Sequence, residues 1–199
     1  MTYSAFKFHK NLMYRGPLTS DKSQVVDMLR RTIRDVKDFP KRGIVFKDVT
    51  PVLLDAKLFG QAVELMASPY RDARISRVVS IESRGFLFGA PIALALGAGL
   101  VPIRKPGKLP AATQRVEYTL EYGTDALEMH HDAVQTGDRV LIVDDVLATG
   151  GTATAAAQLV GATAAGAPVV GFSFLIELDF LNGRQRLRGQ RVEALLHYA

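Results

Sequence analysis

The sequence predicts an α/β fold with a central, mostly parallel sheet flanked by helices. Short runs rich in β-branched residues, VVSI, LVPI, VLIV and VVGFSFLI, alternate with helical stretches along the chain. This alternation is typical of parallel sheets that carry helices on both faces. At 199 residues the chain is long enough for one domain with a full core. We expect an N-terminal extension over residues 1–20 and a single domain over residues 21–199.

The helices are predicted from the spacing of apolar residues and from their place between strands. Asp21 and Gln24 form a candidate cap for a first helix, whose apolar residues recur three or four positions apart as far as Val36. Pro40 should end this helix. Three further helices are expected over residues 55–67, 86–98 and 153–165.

Two segments interrupt the alternation of strands and helices. The stretch FPKRGIVFKDVTPVL, within residues 39–54, is punctuated by proline and glycine and is interpreted as a loop with short extended pieces. The polar stretch over residues 104–123 is long for a compact domain, where such loops are usually functional. Within and just after it, RVEYTLEYG followed by ALEMH predicts a hairpin that turns at Gly123.

Composition narrows the class of ligand. The net charge of +5 and the pI near 9.6 favour polyanionic ligands. No motif of a nucleic-acid-binding module is present, so small phosphates are the better candidates and nucleic acid is not expected. The longest apolar run, around residues 90–101, is too short and too broken by glycine to span a bilayer. The absence of cysteine excludes disulfides, and with no secretory signal a cytoplasmic location is expected.

The clearest motif is VLIVDDVLATGGT, which runs from a predicted strand into a glycine pair. Gly150 and Gly151 allow the backbone to turn tightly, and the following helix presents free amides and the positive end of its dipole. Thr149 and Thr152 add hydroxyl donors, so the loop from Ala148 to Thr152 is a candidate phosphate site. The lysine of the nucleoside-triphosphatase loop is missing, as is the dinucleotide fingerprint.

Asp144 and Asp145 precede this loop, although carboxylates do not accept hydrogen bonds from an ionised phosphate. They should therefore face either hydroxyl donors or a bound metal. A ribose diol is compatible with both of these possibilities. A ribose phosphate across the strand end is the resulting hypothesis. Two alternatives stay open: the acids are only a strand end and a helix cap, or one of them is the phospho-acceptor of a signalling receiver.

A second candidate anion site lies in the segment Glu82, Ser83, Arg84 and Gly85, which also connects a strand end to a helix. Ser83 and the backbone amides can donate to phosphate oxygens, and Arg84 supplies positive charge. Taken alone, Arg84 is better explained as a surface residue after a strand, and only the second phosphate loop favours the anion site.

The motif VLIVDDVLATGGT resembles the 5-phosphoribosyl 1-pyrophosphate (PRPP) signature of type I phosphoribosyltransferases, and the resemblance extends over about residues 25–181. The segments ESRGFLFG, RKPGKLP, LEYG and FPKRGIVFKDVTPVL resemble the adenine-specific members. This implies the type I phosphoribosyltransferase fold with a small hood, residues 39–54, and a mobile lid hairpin, residues 104–123. The implied reaction converts adenine and PRPP to AMP and pyrophosphate in purine salvage.

The resemblance also implies roles for the second anion site and the lid. The loop Glu82–Gly85 would carry pyrophosphate and can adopt a cis peptide bond that does not involve proline. Arg84 would help catalysis. Lid cations would close over the pyrophosphate: Arg104, Lys105 and Lys108. Glu121 matches the family's acid/base residue, with Tyr122 as its neighbour on the lid.

For the base, the resemblance implies backbone contacts from Ile44 or Val45 and an apolar clamp of Phe46 and Leu178. Ordinary core packing is the alternative for both clamp residues. Lys47 departs from the pattern, because relatives often carry arginine there, and lysine keeps the charge but lacks the planar fork.

The family further implies Mg²⁺ and a homodimer. The Mg²⁺ would be bound through the substrate, near Asp144 and Asp145, without a ligand set of the protein's own. Two other functions are considered: a hypoxanthine-guanine or xanthine phosphoribosyltransferase of the same fold, and a non-catalytic regulator that senses PRPP and binds nucleic acid.

Overall fold

The structure is a computed structural model and describes residues 21–119, 124–163 and 166–199. The predicted extension over residues 1–20 and the predicted turn at Gly123 lie outside the described residues.

The described residues form nine strands and five α-helices. The strands are Arg34–Lys37 (β1), Val45–Asp48 (β2), Arg77–Ile81 (β3), Gly99–Ile103 (β4), Thr113–Thr119 (β5), Thr124–His130 (β6), Val140–Leu147 (β7), Val169–Leu178 (β8) and Val192–Tyr198 (β9). The helices are Lys22–Thr32 (α1), Thr50–Leu54 (α2), Ala56–Ala67 (α3), Gly85–Leu96 (α4) and Gly151–Ala162 (α5). None of these helices is both long and apolar enough to cross a membrane.

The central sheet has five strands in the order β4-β3-β7-β8-β9, and every neighbouring pair is parallel. Alternate residues of its strands enter two separate cores. Val78 and Leu141 pack on the side of α1, α3 and α4, whereas Val79 and Ile142 pack on the side of α5 and the β5–β6 hairpin. The predicted parallel sheet with helices on both faces is therefore confirmed.

The first helix is shorter than predicted. It ends at Thr32 instead of near Pro40, and Ile33 is already extended, with φ −64° and ψ 129°. Val36 lies in β1, opposite Phe46 of the antiparallel strand β2. The helical spacing continues to Val36 only by coincidence, because pairing with β2 gives its backbone a different set of hydrogen bonds.

Strand β7 is longer than the predicted VLIV and contains both acids of the motif. Its pairing with β3 ends at Val143, whereas its pairing with β8 continues to Leu147. Asp144 and Asp145 therefore lie on β7 beyond its pairing with β3. Strand β9 and helix α2 were not predicted, and β9 adds a parallel edge strand to the sheet.

Candidate active site

A cavity of about 430 Å³ lies at the carboxyl ends of β3 and β7, beneath the β1–β2 hairpin. Residues from four predicted segments line it together: the hood, the loop after β3, the lid and the loop after β7. The lining side chains are Ile44, Val45, Phe46, Lys47, Ile81, Glu82, Ser83, Arg84, Lys105, Tyr118, Asp125, Leu127, Asp144, Asp145, Val146, Ala148, Thr152 and Leu178.

The glycine loop after β7 has the backbone that a phosphate site requires. Gly150 has φ 79°, in the left-handed region that favours glycine. Helix α5 begins at the next residue with no side chain capping its first amides, which leaves them for an anion. Thr149, Gly150 and Thr152 line a small pocket of about 60 Å³, whereas Gly151 lines neither this pocket nor the cavity.

Gly183, more than thirty residues further along the chain, packs against the glycine loop. A Cβ placed on Gly183 would lie 2.9 Å from the Gly150 nitrogen and 3.0 Å from the Ala148 carbonyl carbon. The backbone of Gly183 thus fits against the glycine loop with no room for a side chain. Nothing local in the sequence indicates this contact.

The two acids have different environments. Asp145 is buried, at 3% exposure, and forms an ion pair with Arg84. Burial, together with the charge of Asp145, raises the pKa of Asp144 well above its usual value. A Cβ on Gly85 would approach Asp144 Oδ1 to 2.7 Å. Gly85 therefore makes room for this carboxyl group and does not line the cavity itself.

The loop after β3 brings a cation between the acids and the hood. The Glu82–Ser83 peptide bond is cis, as the resemblance implies. Arg84 pairs with Asp145, and its guanidinium carbon lies 5.1 Å from the centroid of the Phe46 ring. Helix α4 begins directly afterwards, again with no side-chain cap.

The lid cations do not all reach the cavity. Arg104 binds Glu82, with Nε 3.2 Å from the carboxylate, and also donates to the carbonyl of Lys108 at 3.1 Å. The backbone N–H of Lys105, 2.9 Å from Glu82, and the Arg104 side chain hold the pKa of Glu82 below its usual value. Lys105 lines the cavity, whereas Arg104 and the exposed Lys108 do not.

Two polar residues of the lid hairpin line the cavity without having been predicted. Asp125 pairs with Lys105 at 2.9 Å, and this hydrogen bond raises the pKa of the lysine. Tyr118 is the register partner of Asp125 and donates to it at 3.4 Å. Burial raises the pKa of Tyr118. The predicted hairpin contained a signal for this pair, since Tyr118 and Asp125 lie on opposite sides of its turn.

The hood end of the cavity is apolar. Phe46 packs edge-to-face on Phe39, with centroids 5.2 Å apart. Leu178, at the end of β8, lines the same cavity, as do Ile44 and Val45. Phe46 and Leu178 are half-buried rather than enclosed in the core, so both have surface available to a ligand.

Two predicted residues lie outside the described residues: Glu121 and its neighbour Tyr122. Within the described ranges, the group of acids and histidine close enough to hold a metal ion is Glu177, Asp179 and His197, which does not line the cavity. Arg184 already binds both carboxylate oxygens of Glu177. This group is accordingly explained as an ion-pair network.

The chain is similar in sequence to known phosphoribosyltransferases. The chain matches the family model for the phosphoribosyl transferase domain over residues 52–177. It is 56% identical over 182 residues to the adenine phosphoribosyltransferase of Myxococcus xanthus, covering 92% of this chain and 97% of that protein.

Two crystal structures of adenine phosphoribosyltransferases share the fold. The one from Thermoanaerobacter pseudethanolicus has a TM-score of 0.84 at 51% identity and covers 87% of this chain and 99% of its own. The one from Saccharomyces cerevisiae, in complex with adenine and an imino-altritol bisphosphate, has a TM-score of 0.82 at 39% identity, with coverage of 87% and 99%.

The fold is that of a phosphoribosyltransferase. The chain belongs to the phosphoribosyltransferase family and, within it, to the adenine phosphoribosyltransferases. The predicted fold class, family and enzyme class, a pentosyltransferase acting on adenine, are therefore confirmed.

Proposed function

We propose that this chain transfers the phosphoribosyl group of PRPP to adenine, forming AMP and pyrophosphate for purine salvage. The observation that carries the proposal is the single cavity in which the acid pair, the Arg84 loop, the lid lysine and the apolar hood meet. Each of these suits a different part of the two substrates, and the yeast relative of known structure holds adenine.

The ribose phosphate would lie across the end of β7. The diol would donate to Asp144 and Asp145, and the 5-phosphate would bind the loop from Ala148 to Thr152. This orientation follows from the order of the two groups on one strand, because the acids come immediately before the glycine loop. The uncapped start of α5 favours the phosphate charge.

The pyrophosphate would bind the loop Glu82–Gly85, where Ser83 donates and Arg84 supplies charge. Lys105 faces the same cavity from the lid. As the bond between the anomeric carbon and pyrophosphate breaks, negative charge grows on the leaving group and positive charge on the ribose. Fixed cations around the leaving oxygen stabilise that separation more than they stabilise the bound substrate.

Mg²⁺ fits this site, because two carboxylates face the cavity and oxygen ligands are those it prefers. The ion would be held through the oxygens of PRPP, near Asp144 and Asp145, and would supply further positive charge at the pyrophosphate.

Adenine would lie between Phe46 and Leu178, with its polar edge on the backbone of Ile44 or Val45. Backbone donors and acceptors at that edge discriminate a 6-amino from a 6-oxo purine, while the apolar clamp adds affinity. The base nitrogen attacks the anomeric carbon from the face opposite to pyrophosphate, and its proton would pass to Glu121.

A homodimer is part of the proposal, and the exposed face of α4 supports it. Leu87 and Leu94 are seven residues apart on one side of this helix and are 43% and 74% exposed. Leu100 of the neighbouring strand β4 is 43% exposed as well. Apolar side chains grouped in this way favour burial against a second copy. The cytoplasmic location stays a prediction.

Initial rates with PRPP, Mg²⁺ and each of adenine, hypoxanthine, guanine and xanthine test the proposed function. We expect turnover with adenine and a loss of at least about 100-fold with the 6-oxo bases, because each would leave buried polar groups unpaired. Preference for a 6-oxo base would identify the other enzyme of this fold. Binding of PRPP without turnover of any base would indicate a regulator.

A further inference from the structure

The penultimate residue, Tyr198, lies beside the lysine of the hood. Lys47 Nζ is 4.1 Å from the centroid of the Tyr198 ring and 2.6 Å from a carboxylate oxygen of Asp35. Its side chain is only 14% exposed. The ammonium group is thus held between strand β1, which carries Asp35, and the last strand of the central sheet, which carries Tyr198.

Tyr198 is also connected to the base end of the cavity through the sheet. It is the register partner of Leu178, which lines the cavity. The guanidinium carbon of Arg30 in α1 is 5.0 Å from the centroid of the same ring, and Arg30 donates to the carbonyl of His197 at 2.9 Å. One aromatic ring therefore joins α1, the hood and β9.

This arrangement explains how a lysine at position 47 is held in one place. An arginine fork orients itself through several hydrogen bonds, whereas a lysine has a flexible stem and a single charged point. Lysine therefore needs outside restraint to keep one rotamer. The carboxylate of Asp35 and the face of the Tyr198 ring supply that restraint, since cations are attracted to aromatic faces.

We propose that Tyr198 is a positioning residue for the base site. It holds Lys47, and through β2 the neighbouring Phe46, in the position that adenine requires. The inference rests on the proposed function, because its effect is read in the affinity for adenine. Tyr198 does not itself line the cavity and needs no contact with the substrates.

The test compares Tyr198→Leu with Tyr198→Phe in steady-state kinetics with adenine and PRPP varied separately. The leucine variant should raise the KM for adenine roughly threefold to tenfold, while kcat and the KM for PRPP stay within about twofold. The phenylalanine variant keeps the ring face and should restore the wild-type KM for adenine. Equal KM values for adenine in the leucine variant and the wild type would overturn the inference.

Further variants separate positioning from a purely structural role. Asp35→Asn removes the other restraint at an exposed site, so it should fold normally and raise the same KM. Lys47→Met should raise the KM for adenine, and adding Tyr198→Leu should then cause no further rise. Arg30→Met should leave the KM unchanged, and a rise equal to that of Tyr198→Leu would assign the effect to docking of α1 instead.

The two proposals fail in different ways. A wild-type enzyme without adenine turnover would refute the proposed function. If the wild type turns over adenine but the effects of Lys47→Met and Tyr198→Leu on the KM for adenine add in the double variant, only the positioning role of Tyr198 is refuted.

Discussion

Replacing Gly183 by alanine should damage the phosphate site without touching a substrate. A Cβ at this position would lie 2.9 Å from the Gly150 nitrogen and 3.0 Å from the Ala148 carbonyl carbon, and the Ala148 oxygen would be closer still. Carbon–oxygen contacts rarely fall below about 3.3 Å, so the glycine loop must move by about 1 Å. All the close atoms are backbone, so no side-chain rotation can relieve the contact.

A displacement of about 1 Å in a positioning element can cost on the order of 100-fold in rate. We therefore expect Gly183→Ala to lower kcat/KM for PRPP by about 100-fold. Overpacking should also cost about 1–3 kcal/mol of stability. For a chain of this size, that corresponds to a fall in Tm of roughly 2–12 °C. The assay is the initial rate at saturating adenine with PRPP varied, together with a thermal scan.

Gly161 provides the matched control. A Cβ at this position in α5 meets no atom within 4 Å. Gly161→Ala should therefore keep wild-type kinetics and gain about 0.5–1 kcal/mol from the higher helix propensity of alanine. A Gly183→Ala enzyme whose kcat/KM for PRPP stays within twofold of wild type would refute the role assigned to this contact.

Three further predictions concern charge and assembly. Asp144→Asn should abolish turnover yet raise Tm at pH 7. Because the pKa of Asp144 is raised in the folded protein, the wild type loses stability as the pH rises through that pKa, and asparagine avoids this loss. The gain in Tm should disappear below about pH 4, where Asp144 is protonated in both the folded and the unfolded state. A gain that stays constant in thermal scans at different pH values would show that ionisation of Asp144 is not its cause. Asp125→Asn should raise the KM for PRPP about twofold to fivefold by releasing Lys105, whereas Glu117→Gln, in an exposed ion pair of the same hairpin, should not. Leu94→Glu should halve the mass measured by light scattering if α4 forms the dimer interface, and an unchanged mass would exclude this face.

The local parts of the site could be predicted from the sequence. Strand β7, its acids and the glycine loop form one continuous stretch, so their order along the chain was enough to predict that the acids lie beside the glycine loop. The proline- and glycine-broken loops of the hood and the lid were visible in the sequence, but only the family resemblance gave them roles, because such loops carry no periodicity. Their segments nevertheless meet in the cavity as the resemblance implied.

The residues that were missed depend on contacts between distant parts of the chain. Asp125 and Tyr118 meet through cross-strand pairing, and Gly183 approaches the glycine loop from beyond β8. Tyr198 reaches Lys47 because β9 lies at the edge of the sheet. Strand β9 itself was not predicted from its short sequence. Val36 was wrongly predicted to be helical, because the helical spacing of apolar residues continues into strand β1. Residue spacing reports local structure and does not indicate which distant backbone will pack against it.

A crystal structure of the enzyme with AMP bound tests the central claim most directly. The adenine ring should lie between Phe46 and Leu178, the ribose diol on Asp144 and Asp145, and the phosphate on the loop that ends at Thr152. AMP bound with its phosphate away from that loop, or with its ring outside the hood, would refute the proposed function of these residues.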